Sequence, residues 1–116
     1  MILYEVNLTV EASIYTLFSN WIQEHIQEML EIKGFVKANL FEVIEPESTD
    51  YHLSIQYEVE TIAHLEHYFQ HHAAIMHQKG NDRFGAQIKV SRRILRYKNQ
   101  QLKHLKSLTQ SNKSIH

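Results

Sequence analysis

With 116 residues, 43% apolar and 22% charged, the chain has the size and composition of one globular domain, which at this length buries roughly 65% of its unfolded surface. It contains no cysteine, which excludes disulfides, thiolate nucleophiles and cysteine-ligated metals. The net charge of −1 hides an uneven spread, because residues 1–96 hold all thirteen acids against eight Lys and Arg, while residues 97–116 hold four lysines and no acid.

A mildly acidic body is a poor nucleic-acid binder. No stretch approaches the ~20 apolar residues of a membrane span. Residues 1–10 lack a basic start followed by a long apolar run, so no signal peptide is expected. Together these point to a cytoplasmic protein with neither nucleic acid nor membrane as partner.

The first strand is expected over about 2–10, where Tyr4, Val6, Leu8 and Val10 alternate with Glu5, Asn7 and Thr9. A helix follows over about 14–32, with Ser13 as N-cap and an apolar stripe of Ile14, Phe18, Trp21, Ile22, His25, Met29 and Ile32. Gly34 suits its C-terminal stop. A second strand is expected over about 35–45, with Val36, Ala38 and Leu40 on one face and Phe35, Lys37, Asn39 and Phe41 on the other. The cluster Glu45 to Asp50 holds the only proline and reads as a turn.

The third strand spans about 51–59, Tyr51, Leu53, Ile55, Tyr57 and Val59 alternating with His52, Ser54, Gln56 and Glu58. Thr61 is placed to cap a second helix over about 62–78, whose stripe is Ile62, Leu65, Phe69, His72, Ala73 and Met76. Gly80 and Gly85 bracket a loop before a fourth strand over about 86–96. There Ile88, Val90 and Ile94 share one face, and Gln87, Lys89, Ser91 and Arg93 the other. The order is strand, helix, strand, strand, helix, strand. Short-turn pairing of the middle strands and right-handed crossovers predict an α+β, ferredoxin-like βαββαβ sandwich over residues 1–96, with a four-stranded antiparallel sheet and both helices on one face. Residues 97–116 form a basic polar tail in which Leu102, Leu105 and Leu108 offer a weak helical stripe.

Two helices cover one face of such a sheet. The other face, carrying Glu5, Asn7, Thr9, His52, Ser54, Gln56, Glu58, Lys89 and Arg93 with Phe35 and Phe41, is left for water, a ligand or a second copy of the chain. Nine histidines are many for this length, and seven lie within 25–77. His64, His67 and His71 share one helical side, but that side points away from the apolar stripe, so it reads as a solvated face and no metal site is expected. His25 and His72 lie on or beside the apolar stripes of the two helices, where they could approach one another or a backbone carbonyl. A buried imidazole needs a partner, and the functional reading is a general base or ligand contact between helices and sheet. There is no phosphate-binding glycine loop, nucleophile elbow or metalloprotease motif.

The segments Met1 to Asn7, Trp21 to Ile26, Gly34-Phe35, His72-Ala73 and Arg83 to Gly85 resemble the dimeric α/β barrel superfamily, which includes antibiotic-biosynthesis monooxygenases, muconolactone isomerases and haem-degrading monooxygenases. More closely, the chain looks like a small bacterial family of unknown function of that type. The resemblance covers roughly residues 1–96. It implies a homodimer in which two sheets close into a barrel. It also implies, from an Asn on the first strand together with an aromatic residue and a His on the second helix, that Asn7, Tyr68 and His77 are counterparts of residues that cofactor-free and haem-degrading members use; Tyr stands where those have Trp, and His77 falls about one residue out of step.

The expectation is therefore a homodimer that binds a small polar or aromatic molecule, with Asn7, His25 and His72 as candidate catalytic groups, Tyr68 and His77 as candidate cofactor contacts, and the cofactor itself unspecified. Two alternatives are a monooxygenase or isomerase of dimeric-barrel type, cofactor-free or haem-dependent, and a structural or regulatory interaction module that uses the basic tail.

Overall fold

Period-two alternation splits the first strand between two environments. In the computed structural model, which describes residues 1–103, strand β1 (Ile2–Val10) buries Ile2, Tyr4, Leu8 and Val10 beneath helices and turns Leu3, Glu5, Asn7 and Thr9 the other way. Strand β2 (Phe35–Val43), strand β3 (Tyr51–Val59) and strand β4 (Ile88–Arg96) complete one antiparallel sheet in the order β2-β3-β1-β4. β1 lies at the centre, with Tyr4 opposite Tyr57 on one side and Ile94 on the other. Helix α1 (Tyr15–Leu30), helix α2 (Ile62–His71) and helix α3 (Ala73–Phe84) supply the other half of the core through Phe18, Ile22, Ile26 and Met29, then Leu65 and Tyr68, then Ala73 and Phe84. This is the ferredoxin-like α+β fold.

Several local expectations are corrected. Residues 12–14 form a 3-10 turn ahead of α1, so Ser13 is not a cap, and no side chain caps α1. Thr61 does cap α2, its Oγ1 accepting from the His64 amide at 3.2 Å. The expected single helix over 62–78 is two helices that meet at His72, whose φ of −128° leaves the helical region. The buried residues explain the break. A continuous helix would turn by about 140° more than a full circle over the five residues from Tyr68 to Ala73, yet both are buried against the same core. The interruption brings the two apolar faces back into line.

Helix α3 also runs on through Gly80 to Phe84, where a loop was expected. Weak helix propensity in Lys-Gly-Asn-Asp is overridden by Phe84, whose ring packs edge-on against Phe18 at 5.1 Å and Trp21 at 5.4 Å. Gly85, with φ +52°, ends the helix, and a 3-10 turn leads into β4.

Phe35 was expected on the open face and instead lies in the core, 4% exposed. A bulge at Val36 is the reason: Phe35 stands opposite Val59 and Lys37 opposite Glu58, so Val36 is an extra residue and the alternation is offset by one. Phe35 then meets the rings of Tyr57 and Tyr68. In the tail, Leu102 lies in non-helical chain, while Leu105 and Leu108 of the expected stripe lie outside the described residues.

Gly34 joins α1 to the bulge with φ +90°, and a Cβ there would lie 2.4 Å from the His64 side chain. Replacement with alanine combines a left-handed backbone with a steric clash. Gly34→Ala is expected to cost at least ~1–2 kcal/mol, the penalty of the backbone conformation alone, measured as a lower urea midpoint with an unchanged slope; an unchanged midpoint would contradict the contact.

Candidate functional site

The aromatic core opens on one side into a cavity of about 60 Å³ between α1, α3 and the helix-facing residues of β1, β3 and β4. Its floor is made by Tyr4, Tyr57 and Tyr68, each no more than 1% exposed. Its wall is Trp21 with His25 stacked on it, centroids 4.6 Å apart and planes within 14°. Its rim includes the exposed residues Asn81 and Arg92. Gly80 of α3 lies at the wall, and a Cβ there would sit 3.5 Å from the Trp21 ring and 4.0 Å from Ile88, ordinary contact distances. The helix therefore has room for alanine at this point, and glycine leaves the space to the cavity.

Several residues of this lining carry a buried polar atom without a partner. Among the described residues, four buried side-chain polar atoms lack a hydrogen bond: Tyr4 Oη, His25 Nδ1, His77 Nε2 and Glu5 Oε2. The first three belong to residues of this one cavity. Buried polar atoms are nearly always satisfied, and leaving one unmet costs about 1–3 kcal/mol.

Burial pushes the His25 imidazole below its ordinary pKa; Glu28 opposes this, and Lys79 and His77 add to it. Glu28 is itself paired with Lys79 across α1 and α3. His77 is lowered by burial and then by the Arg92 guanidinium. Burial also raises the hydroxyls of Tyr4, Tyr57 and Tyr68. The imidazoles and phenols are thus held neutral, leaving Arg92 as the cavity's permanent charge. A neutral imidazole with an unengaged ring nitrogen can accept a proton or hold a ligand.

The residues singled out from sequence are divided by the sheet. His25, Tyr68 and His77 line the cavity. Asn7 lies on the opposite face, where its Nδ2 donates to Glu5 Oε1 at 3.0 Å. His72 stands at the helix break, edge-on to His67 at 5.8 Å, and is not among the cavity residues. His77, and not His72, is the imidazole whose charge is felt at His25.

The same geometry does not fit haem. Asn7 is separated from Tyr68 and His77 by the sheet, Tyr68 is core, and about 60 Å³ has no room for a porphyrin. The rings of His67 and His71 lie 4.3 Å apart between centroids, tilted by 43°, on the exposed side of α2.

Sequence reasoning missed Tyr4, Gly80 and Arg92 as site residues. Arg92 was detectable: it interrupts the Ile88, Val90, Ile94 face and pairs opposite Val6. Gly80 was not, because its role depends on where Trp21 arrives.

Residues 1–98 match the DUF4286 family, a domain of unknown function. The chain belongs to that family. No curated protein matches the DUF4286 chain in sequence. Among solved structures it is similar to a candidate antibiotic biosynthesis monooxygenase from Deinococcus radiodurans, with a TM-score of 0.62 and 10% identity over 90% of this chain and 98% of that one. It is similar to an ethyl tert-butyl ether d (ethd) family protein from Bacillus halodurans, with a TM-score of 0.59 and 13% identity over 84% and 100%. A candidate monooxygenase from Shewanella loihica is also similar, with a TM-score of 0.55 and 14% identity over 85% and 96%. At these identities the likeness establishes the fold alone, the ferredoxin-like α+β fold that the DUF4286 domain shares with these proteins. Among its described residues no helix is long and apolar enough to cross a membrane.

The lowered imidazoles set a pH dependence. Below about pH 6.5 the unfolded chain takes up protons at His25 and His77 before the folded chain does, so acidification favours unfolding. Stability is expected to be level at pH 7.5 and above and to fall as pH drops through 6.5. Calorimetry should show Tm several degrees lower at pH 5.5 than at 7.5, at ~4–8 °C per kcal/mol for a small domain. His25→Gln should remove part of the difference; a Tm that rises on acidification would contradict the assignment.

Proposed function

We propose that this DUF4286 chain acts in the cytoplasm as a homodimer that binds a small polar or aromatic molecule in the helix-side cavity. The observation that carries the reading is that three buried polar atoms without a hydrogen bond, on Tyr4, His25 and His77, all belong to residues lining one cavity walled by aromatic rings. A ligand with complementary polar atoms satisfies groups that the fold leaves unmet, and the rings supply apolar contact. The helical glycine at position 80 supports this, since alanine would be accommodated by its neighbours and would occupy the cavity.

The dimer is supported by the opposite face. Glu5 is 5% exposed and its Oε1 accepts from Asn7 Nδ2 and from Arg93 Nε at 3.2 Å, but its Oε2 has no donor. Around it lie the exposed rings and aliphatics Phe41 and Val43, with both signs of charge from Glu58, Lys37 and Lys89. A surface carrying both acids and bases can complement a second copy of itself across a twofold axis.

Native mass spectrometry of untagged protein tests both parts. The expected result is a dimer carrying a reproducible extra mass, with Gly80→Ala losing that mass while gaining up to ~1 kcal/mol in stability from the better helix former. A dimer that never carries an adduct, or an adduct retained in Gly80→Ala, would count against the cavity. The interface is tested separately at the centre of the open face, where Ser54 stands opposite Asn7. Ser54→Arg should convert the dimer to a folded monomer in light scattering at micromolar concentration, and a wild-type monomer would dismiss the dimer.

A further inference from the structure

The charges around the cavity select among ligands. Its lining contains no aspartate or glutamate, and its one permanent charge is the guanidinium of Arg92. Arg92 occupies a position of β4 that alternation assigns to the helix-covered face, between Val90 and Ile94. Its neighbour Arg93, on the open face, is paired with Glu5, whereas Arg92 pairs with no carboxylate among the described residues. Its charge acts on the Tyr4 hydroxyl and on His77, so it is felt inside the cavity. A guanidinium beside an apolar well, with neutral donors deeper in, is the arrangement that holds a carboxylate by paired, charge-assisted hydrogen bonds. A cationic ligand would meet Arg92 as a like charge with no acid to offset it.

Size narrows the class. An engineered apolar cavity of about 150 Å³ encloses benzene, and the present one is about 60 Å³ with exposed residues at its rim. A ligand of a few heavy atoms is enclosed, and a single ring must project towards the mouth.

We propose that the cavity ligand is a small carboxylate, short-chain or single-ring, whose anionic head sits at the mouth against Arg92 and whose carbon skeleton enters the well beside Trp21. This rests on the cavity reading above.

Trp21 is the only tryptophan in the chain and lies in the wall, so its fluorescence reports occupancy directly. The full-length protein is titrated with propionate and benzoate, and in parallel with propionamide and benzamide, which match them in shape without the charge. The expected result is saturable binding of at least one acid, ~10-fold or more tighter than its amide, with Arg92→Gln abolishing that preference and leaving the amide titration unchanged. Arg92 is exposed, so this variant is expected to fold, which circular dichroism checks. Amides binding as tightly as acids, or an acid preference that survives in Arg92→Gln, would overturn the carboxylate assignment while the cavity stands. If none of the four probes perturbs Trp21 up to its solubility limit, the carboxylate assignment and the cavity reading fail together.

Discussion

A four-stranded sheet has two faces, and the described residues of this chain supply helices enough for one. The rest of the structure depends on that constraint. Through β1, at the centre, every second residue is committed to the helix side and the others to the opposite side. Tyr4 and Glu5 are neighbours in sequence and both nearly inaccessible, but one is packed among tyrosine and phenylalanine rings and the other is a carboxylate held by Asn7 and Arg93. The sheet therefore separates two chemistries: an apolar, aromatic side in which ionisation is suppressed, and a charged side in which hydrogen bonds and ion pairs are spread across adjacent strands.

The cavity is a consequence of how the helices are cut to fit. α1 brings Trp21 and His25, α3 brings His77 and Gly80, and the break at His72 sets the phase in which α3 arrives. Were the helix continuous, the residues of α3 facing the sheet would be different ones. The fold accepts the cost of unmet polar atoms on Tyr4, His25 and His77, a cost that packing hydrocarbon at the same positions would avoid. Sites that depart from the best local packing in this way are where binding is expected.

Legibility from sequence followed physical range. The strands with clean alternation, β1 and β3, were read with their correct faces, because a period of two is a local property of the chain. The faces of β2 were read correctly at Ala38 and Leu40 and wrongly at Phe35, because one bulged residue reverses the parity of everything before it, and Phe35-Val36 are both apolar. The helix-two stripe was placed on Phe69, which is 40% exposed, when Tyr68 is the buried ring; the two differ by about 100° on a helix, and only the position of the sheet distinguishes them. Asn7, His25, His72, Tyr68 and His77 were all visible as polar or aromatic residues in structured segments, but their grouping was not. The sheet lies between Asn7 and the cavity, and the helix break takes His72 away from it.

By itself the sequence determined the order of elements, the α+β class, the amphipathic split of β1 and β3, and the existence of a sheet face that no helix within residues 1–96 covers. These follow from periodicities of two and 3.6 residues and from turn chemistry, which act over a few neighbours. Only the tertiary structure decided that Phe35 is core, that Phe84 extends α3 across Gly80, and that His25, His77, Tyr4 and Arg92 meet at one cavity. Those outcomes depend on contacts between residues far apart in the chain, where the packing of rings such as Trp21, Phe18 and Phe84 outweighs the weak local preferences of glycine and of a polar helix end.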